Sequence, residues 1–135
     1  MGAYKILIVD DDADFTDATS AVLEAAGFAV SVAHNGDDGL ALARVERPDL
    51  IILDVMMSYL LEGLTVGEQL AADPSLAKTP VLMVSAIAQT EHLDKFPTDQ
   101  PLPARFFLTK PIPATQLLET VRWMLTEPQE EKVAR

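Results

Sequence analysis

The sequence predicts an α/β protein built on an open, doubly wound parallel sheet of five strands. Short apolar runs alternate along the chain with segments of helical periodicity, the clearest being Ile6-Leu7-Ile8-Val9, Leu50-Ile51-Ile52-Leu53, Val81-Leu82-Met83-Val84 and Phe106-Phe107-Leu108-Thr109. The second of these is apolar at every position, as a central strand covered on both faces requires. Each run also stops abruptly at polar residues: Asp10-Asp11-Asp12, Asp54, Ser85 and Lys110 respectively. Strand C-termini share one edge of such a sheet, so these side chains are predicted to meet in one pocket.

The first strand, residues 6–9, leads into a helix over 14–27, where Phe15, Ala18, Val22 and Ala25 or Ala26 recur at helical spacing. Gly27 suits the position just past a helix end. Asp12 and Asp14 suit its N-terminal turn, where capping and the helix dipole favour carboxylates. Residues 28–33 alternate and are rich in Val, which predicts the second strand, and Asn35-Gly36 signals a turn. Leu40, Ala43 and Val45 mark a second helix that Arg47-Pro48 ends. The third strand covers 50–54, and a weaker helix covers 64–72 before Asp73-Pro74.

Thr79-Pro80 introduces the fourth strand, 81–85. From 86 to 104 the pattern breaks down, because Pro97, Pro101 and Pro103 preclude a continuous helix. Only 88–96 leaves room for a short one, so the fourth helix is expected to be shortened, displaced or absent. Residues 105–109 form the fifth strand. Pro113 suits the first turn of the last helix, with Leu117, Val121 and Leu125 on its apolar face and Trp123 packing close to that face. Glu127-Pro128 ends it, giving one domain over 1–127 and a frayed tail over 128–135. No further domain is expected after that helix.

At 135 residues the chain can bury one hydrophobic core, and 49% apolar residues suit a folded protein. It has no cysteine, which excludes disulfides and thiolate metal sites. No apolar run approaches the roughly 20 residues that span a bilayer. Without a signal-peptide layout before Ile6, a cytoplasmic location and no membrane partner are expected. A net charge of −11 argues against direct nucleic-acid binding, which depends on clustered Lys and Arg.

Carboxylates held about 4 Å apart repel by roughly 4 kcal/mol at an effective dielectric near 20. A fold that gathers Asp10, Asp11 and Asp54 therefore calls for a cation, and hard oxygen ligands suit Mg2+. Asp54 would serve as a nucleophile toward phosphorus. Lys110 would offset charge on the phosphoryl oxygens, and the Ser85 hydroxyl would hydrogen-bond one of them. His34 and His92 lack metal-ligand spacing, and the side chains of Met56 and Met57 suit packing.

Four segments in order resemble the receiver domains of two-component response regulators, such as the chemotaxis response regulators. They are Lys5-Ile6-Leu7-Ile8-Val9-Asp10-Asp11-Asp12, Pro48-Asp49-Leu50-Ile51-Ile52-Leu53-Asp54-Val55-Met56-Met57, Val84-Ser85-Ala86 and Leu108-Thr109-Lys110-Pro111. The resemblance spans residues 4–126. It implies a flavodoxin-like fold with strand order 2-1-3-4-5. It makes Asp54 the phosphate acceptor and assigns Mg2+ to Asp10, Asp11, Asp54 and the backbone carbonyl of Met56. Ser85 and Lys110 would contact the phosphoryl group, Ser85 and Phe107 would form the conformational switch, and the bond to Pro111 would be cis. A histidine kinase or phosphotransfer protein would donate the phosphoryl group, and a downstream protein would read the result.

Two segments depart from the family pattern. Ser58 stands where Pro is usual and Gly63 comes about one residue late, which lengthens the loop beside the acceptor. The Pro-rich stretch before the fifth strand replaces the usual approach, so the output surface is expected to differ. A haloacid-dehalogenase-type phosphatase would make Asp10 the nucleophile and Asp12 the acid, but Asp14 stands where it needs Thr or Val, and it lacks both a late acidic pair and a cap domain. A calcium loop starting at Asp10 fails because Phe15 and Ala21 replace its Gly and Glu. A receiver-fold module that binds protein without phosphorylation is the alternative of another class.

Overall fold

A computed structural model describes residues 3–57, 62–86 and 106–126. In chain order the elements are β1 (Lys5–Val9), α1 (Ala13–Ala25), β2 (Ala29–Ala33), α2 (Gly36–Glu46), β3 (Leu50–Asp54), α3 (Glu62–Ala72), β4 (Val81–Ala86), β5 (Phe106–Lys110) and α4 (Ala114–Thr126). All strand pairings are parallel, and the order across the sheet is β2-β1-β3-β4-β5. This is the predicted doubly wound arrangement, with its pocket expected at the strand C-termini. Residues 58–61, 87–105 and 127–135 lie outside the described residues, and the expectations of a longer loop beside Asp54, a shortened or absent fourth helix and a frayed tail over 128–135 fall there.

Alternation along the strands divides the core in two. Ile6, Ile8, Ile52, Leu82 and Val84 face Leu23 of α1 and Leu117, Val121 and Met124 of α4. Leu7, Val9, Ile51, Leu53 and Met83 face Leu40 and Ala43 of α2 and Val66 and Leu70 of α3. β3 is buried at all five positions, which explains its unbroken apolar sequence. β2 and β5 are edge strands and only partly buried, so β2 shows graded exposure where alternation was expected.

Four local details differ from the sequence reading. Asn35-Gly36 begins a helix: the Asn35 side chain accepts the Asp38 N–H at 2.8 Å as the N-cap of α2. Gly36 then lies so close to α3 that an added Cβ would fall 2.7 Å from Val66 Cγ2. On α1 the buried stripe is Thr16, Thr19 and Leu23, with Phe15 and Val22 half-buried and Ala18 and Ala25 exposed. Val45 is 80% exposed, because the buried face of α2 runs through Gly36, Gly39, Leu40 and Ala43 and Val45 points away from it. On α4, Met124 is fully buried and Leu125 only partly. Gly27 does end α1 as expected, with φ +99°. No helix among the described residues is long and apolar enough to cross a membrane.

Candidate functional site

The C-terminal end of β1 passes straight into the site. The Asp10 N–H donates to the Ala33 carbonyl at 3.0 Å, extending the ladder with β2 and fixing the Asp10 backbone. Its carboxylate is fully buried, and Oδ1 accepts the Asp12 N–H at 2.9 Å. Asp12 in turn caps α1, its Oδ1 accepting from the Asp14 and Phe15 N–H groups at 3.0 and 3.2 Å. The acidic run thus has separate tasks: Asp10 points inward, Asp11 stays exposed at the rim, and Asp12 starts the helix.

Asp54 ends β3 and is 3% exposed. One carboxylate oxygen from each of Asp10, Asp11 and Asp54 lies within 4.8 Å of the other two. Burial, and next the charge of Asp10, push the Asp54 pKa up to about 8, opposed by Lys110 and by the Met56 N–H, which donates to Oδ1 at 3.4 Å. The half-buried Met56 and Met57 side chains pack against the α2/α3 face of the core. Gly63, in the first turn of α3, sits against the backbone of Asp54 and Val55. Its N–H donates to the Val55 carbonyl at 2.6 Å, and an added Cβ would fall 1.9 Å from the Asp54 carbonyl oxygen.

Lys110 ends β5. Its ammonium lies 2.8 Å from Asp10 Oδ2 and 3.9 Å from Asp54 Oδ2, with 15% of the side chain exposed. The peptide bond from Lys110 to Pro111 is cis. Ser85 is buried near the end of β4, in register with Thr109, and its hydroxyl donates to the Ala86 carbonyl at 3.4 Å. Phe107 is half-buried on the α2/α3 side, in register with Met83. The sheet thus brings Asp10, Asp11, Asp54 and Lys110 into one cluster and ends β4 at Ser85 and Ala86, while Phe107 sits three residues before Lys110.

The structure adds two residues that the sequence did not single out for the site. The Phe15 ring centroid lies 4.2 Å from the Lys110 ammonium. Glu62, itself buried, accepts the Gly36 N–H at 3.0 Å and ties the start of α3 to the start of α2. Neither has a local signal: Phe15 reads as an ordinary apolar helix position, and Glu62 as an ordinary residue before Gly63. The His34 Nδ1–H donates to the Asp10 carbonyl at 3.1 Å, beside the same pocket.

All donors in the acidic cluster are oxygens, and one ammonium only partly offsets their charge. That set fits a hard divalent cation.

A five-stranded parallel sheet in this order, with clustered acids and a lysine at its C-terminal edge, is the architecture of a receiver-type domain. The response regulator receiver domain family matches residues 6–122, and the chain belongs to it. PilH of Pseudomonas aeruginosa is 37% identical over 121 residues, which is 90% of this chain and 97% of PilH. The transcriptional regulator RpaA of Synechocystis is 39% identical over 122 residues, covering 90% of this chain but 48% of RpaA. The chain thus spans about half of RpaA, and 25% of the response regulator PleD of Caulobacter vibrioides. A CheY-like receiver domain protein of Methanospirillum hungatei superposes with TM-score 0.77 at 26% identity, covering 98% of this chain and all of that one. The chemotaxis response regulator CheY4 of Vibrio cholerae gives TM-score 0.74 at 28% identity, over 90% of this chain and 98% of CheY4.

Proposed function

We propose that this chain accepts a phosphoryl group on Asp54 from the phosphohistidine of a histidine kinase or phosphotransfer protein and signals by a change of conformation. The observation that carries this reading is the buried Asp54 carboxylate, clustered with Asp10 and Asp11 and 3.9 Å from the Lys110 ammonium. An ionised Asp54 oxygen attacks phosphorus, the P–N bond breaks, and the imidazole leaves with the bonding pair and takes up a proton. Asp54 must therefore be ionised, which its burial opposes.

Asp10, Asp11 and Asp54, with the Met56 carbonyl, would hold Mg2+, which when bound neutralises carboxylate charge and that of the phosphoryl oxygens. Lys110 holds one phosphoryl oxygen by a charge-assisted hydrogen bond, and the Ser85 hydroxyl donates to another. As Ser85 moves toward the phosphoryl group, Phe107 turns into the space it leaves. Phe107 has no hydroxyl to desolvate, so the inward state costs little compared with Tyr. The phosphorylated surface is then read by a downstream protein. The receiver unit occupies residues 1–127, with 128–135 as a tail, and works in the cytoplasm without direct contact to nucleic acid or membrane.

Incubation with acetyl phosphate and Mg2+ tests this. Intact mass should show one added phosphoryl group, labile to hydroxylamine, and Asp54→Asn should take up none. Labelling of Asp54→Asn at a single site would move the acceptor elsewhere. Complete failure of the unsubstituted protein to label would favour the phosphorylation-independent protein-binding module.

A further inference from the structure

Resting on the receiver reading, we infer that Phe15 is a positioning residue for Lys110, its ring forming the third wall of the ammonium's seat beside Asp10 and Asp54. Lysine is a compact charge on a flexible stem and has no directional fork to fix it. Here its ammonium is confined on three sides: Asp10 Oδ2 at 2.8 Å, Asp54 Oδ2 at 3.9 Å and the Phe15 ring centroid at 4.2 Å. The last distance lies well inside the range for attraction between a cation and the negative face of an aromatic ring. The side chain is only 15% exposed, so the ring stands where hydration water would otherwise be.

The contacts close into a circuit. Asp10 holds Lys110 through Oδ2 and the Asp12 N–H through Oδ1. Asp12 accepts the Phe15 N–H at 3.2 Å, and so sets where the first turn of α1 begins and where the ring emerges. The ring then returns to Lys110. Two elements distant in sequence are thus aligned on one ammonium.

A ring suits this place better than a third carboxylate. An acid would hold the lysine by a full charge and compete with an incoming phosphoryl group for it. A ring stabilises the cation, leaves its hydrogen-bonding protons free, and adds no charge to a cluster already rich in it. Phe15 also packs against the α1/α4 side of the core, and it meets the site through Lys110, so fluorination of its ring should leave the cation's own ligands undisturbed.

The test replaces Phe15 in the full chain with 4-fluoro-, 3,5-difluoro- and 3,4,5-trifluorophenylalanine, which drain charge from the ring face at nearly constant shape. Calorimetry with beryllofluoride and Mg2+ reads occupation of the phosphoryl position, and Mg2+ alone serves as the control. The expected result is a graded loss of beryllofluoride affinity, reaching roughly five- to tenfold for the trifluoro ring, with Mg2+ affinity unchanged. Phe15→Leu should fall at the weak end of the series and Phe15→Trp should match or exceed the native ring. A flat series, or Phe15→Leu binding as tightly as Phe15, overturns the inference while the receiver reading stands. No beryllofluoride binding by the unsubstituted protein overturns the phosphoacceptor reading and this inference together.

Discussion

Asp54→Asn should make the cation-free protein more stable. The native carboxyl has its pKa raised from 3.8 to about 8 by burial and by Asp10. At pH 7 the unfolded chain carries this group ionised, while the folded protein still holds its proton. Folding therefore takes up a proton against the solution pH, and linkage puts the cost at about 4 kcal/mol at pH 7, with 1.36 kcal/mol for each unit above 3.8. Asn keeps the shape and never ionises, so it escapes that cost. Allowing for water reaching the site, the gain should be about 2–4 kcal/mol.

A raised pKa gives stability that is complete below the unfolded value and is lost as pH rises through the folded one. The advantage of Asp54→Asn should therefore be near zero at pH 4, widen by up to about 1.4 kcal/mol per pH unit, and level off above the folded-state pKa of about 8. Urea unfolding followed by circular dichroism between pH 4 and 9 with EDTA present measures it. Adding Mg2+ should narrow the gap, because a cation that prefers the ionised acceptor stabilises the native protein by mass action. An Asp54→Asn protein no more stable than the parent at pH 7, or an advantage that does not change with pH, would refute the argument.

Asp11→Ala should weaken Mg2+ binding by roughly tenfold or more in a calorimetric titration, while the exposed position leaves unfolding within about 0.5 kcal/mol. Gly63→Ala should cost about 2–3 kcal/mol in urea unfolding and lower Mg2+ affinity, since its methyl would press on the Asp54 carbonyl and the Val55 backbone. Glu62→Ala should cost about 1–3 kcal/mol by leaving the Gly36 N–H without this acceptor, and Glu62→Gln should recover most of it.

The central strands were legible because burial on both faces leaves an uninterrupted apolar signature, as at Leu50 to Leu53. Strand order and the shared edge followed from the alternation of elements and from the family resemblance. The edge strand β2 was harder, because partial exposure blurs its pattern. Asn35-Gly36 serves turns and helix starts equally well; contact with Val66 and Glu62 of α3 accompanies the helical outcome, and a local reading cannot see that contact. The stripe of α1 was misphased because alanines weigh as apolar while contributing little burial, whereas Thr16 and Thr19 lie inside. Asp10, Asp54, Ser85 and Lys110 could be placed because each follows an apolar run. Phe15 and Glu62 could not, because their partners come from packing between elements.

The pairing of Lys110 with Asp10 joins residues 100 positions apart, across a sheet in which β5 forms its ladder with β4. β1 is flanked by β2 and β3, and its pairing with β3 places Asp10 close to Asp54, whereas their ammonium comes from β5. The carboxyl groups crowd one end of the sheet, and Lys110 of β5 supplies the ammonium beside them. Docking of the last strand is therefore favoured by an ionic contact as well as by Leu108, which couples completion of the sheet to completion of the pocket. Removing β5 would leave most of the α2/α3 side of the core in place and take away the ammonium, so the charge balance of the pocket depends on the sheet being complete.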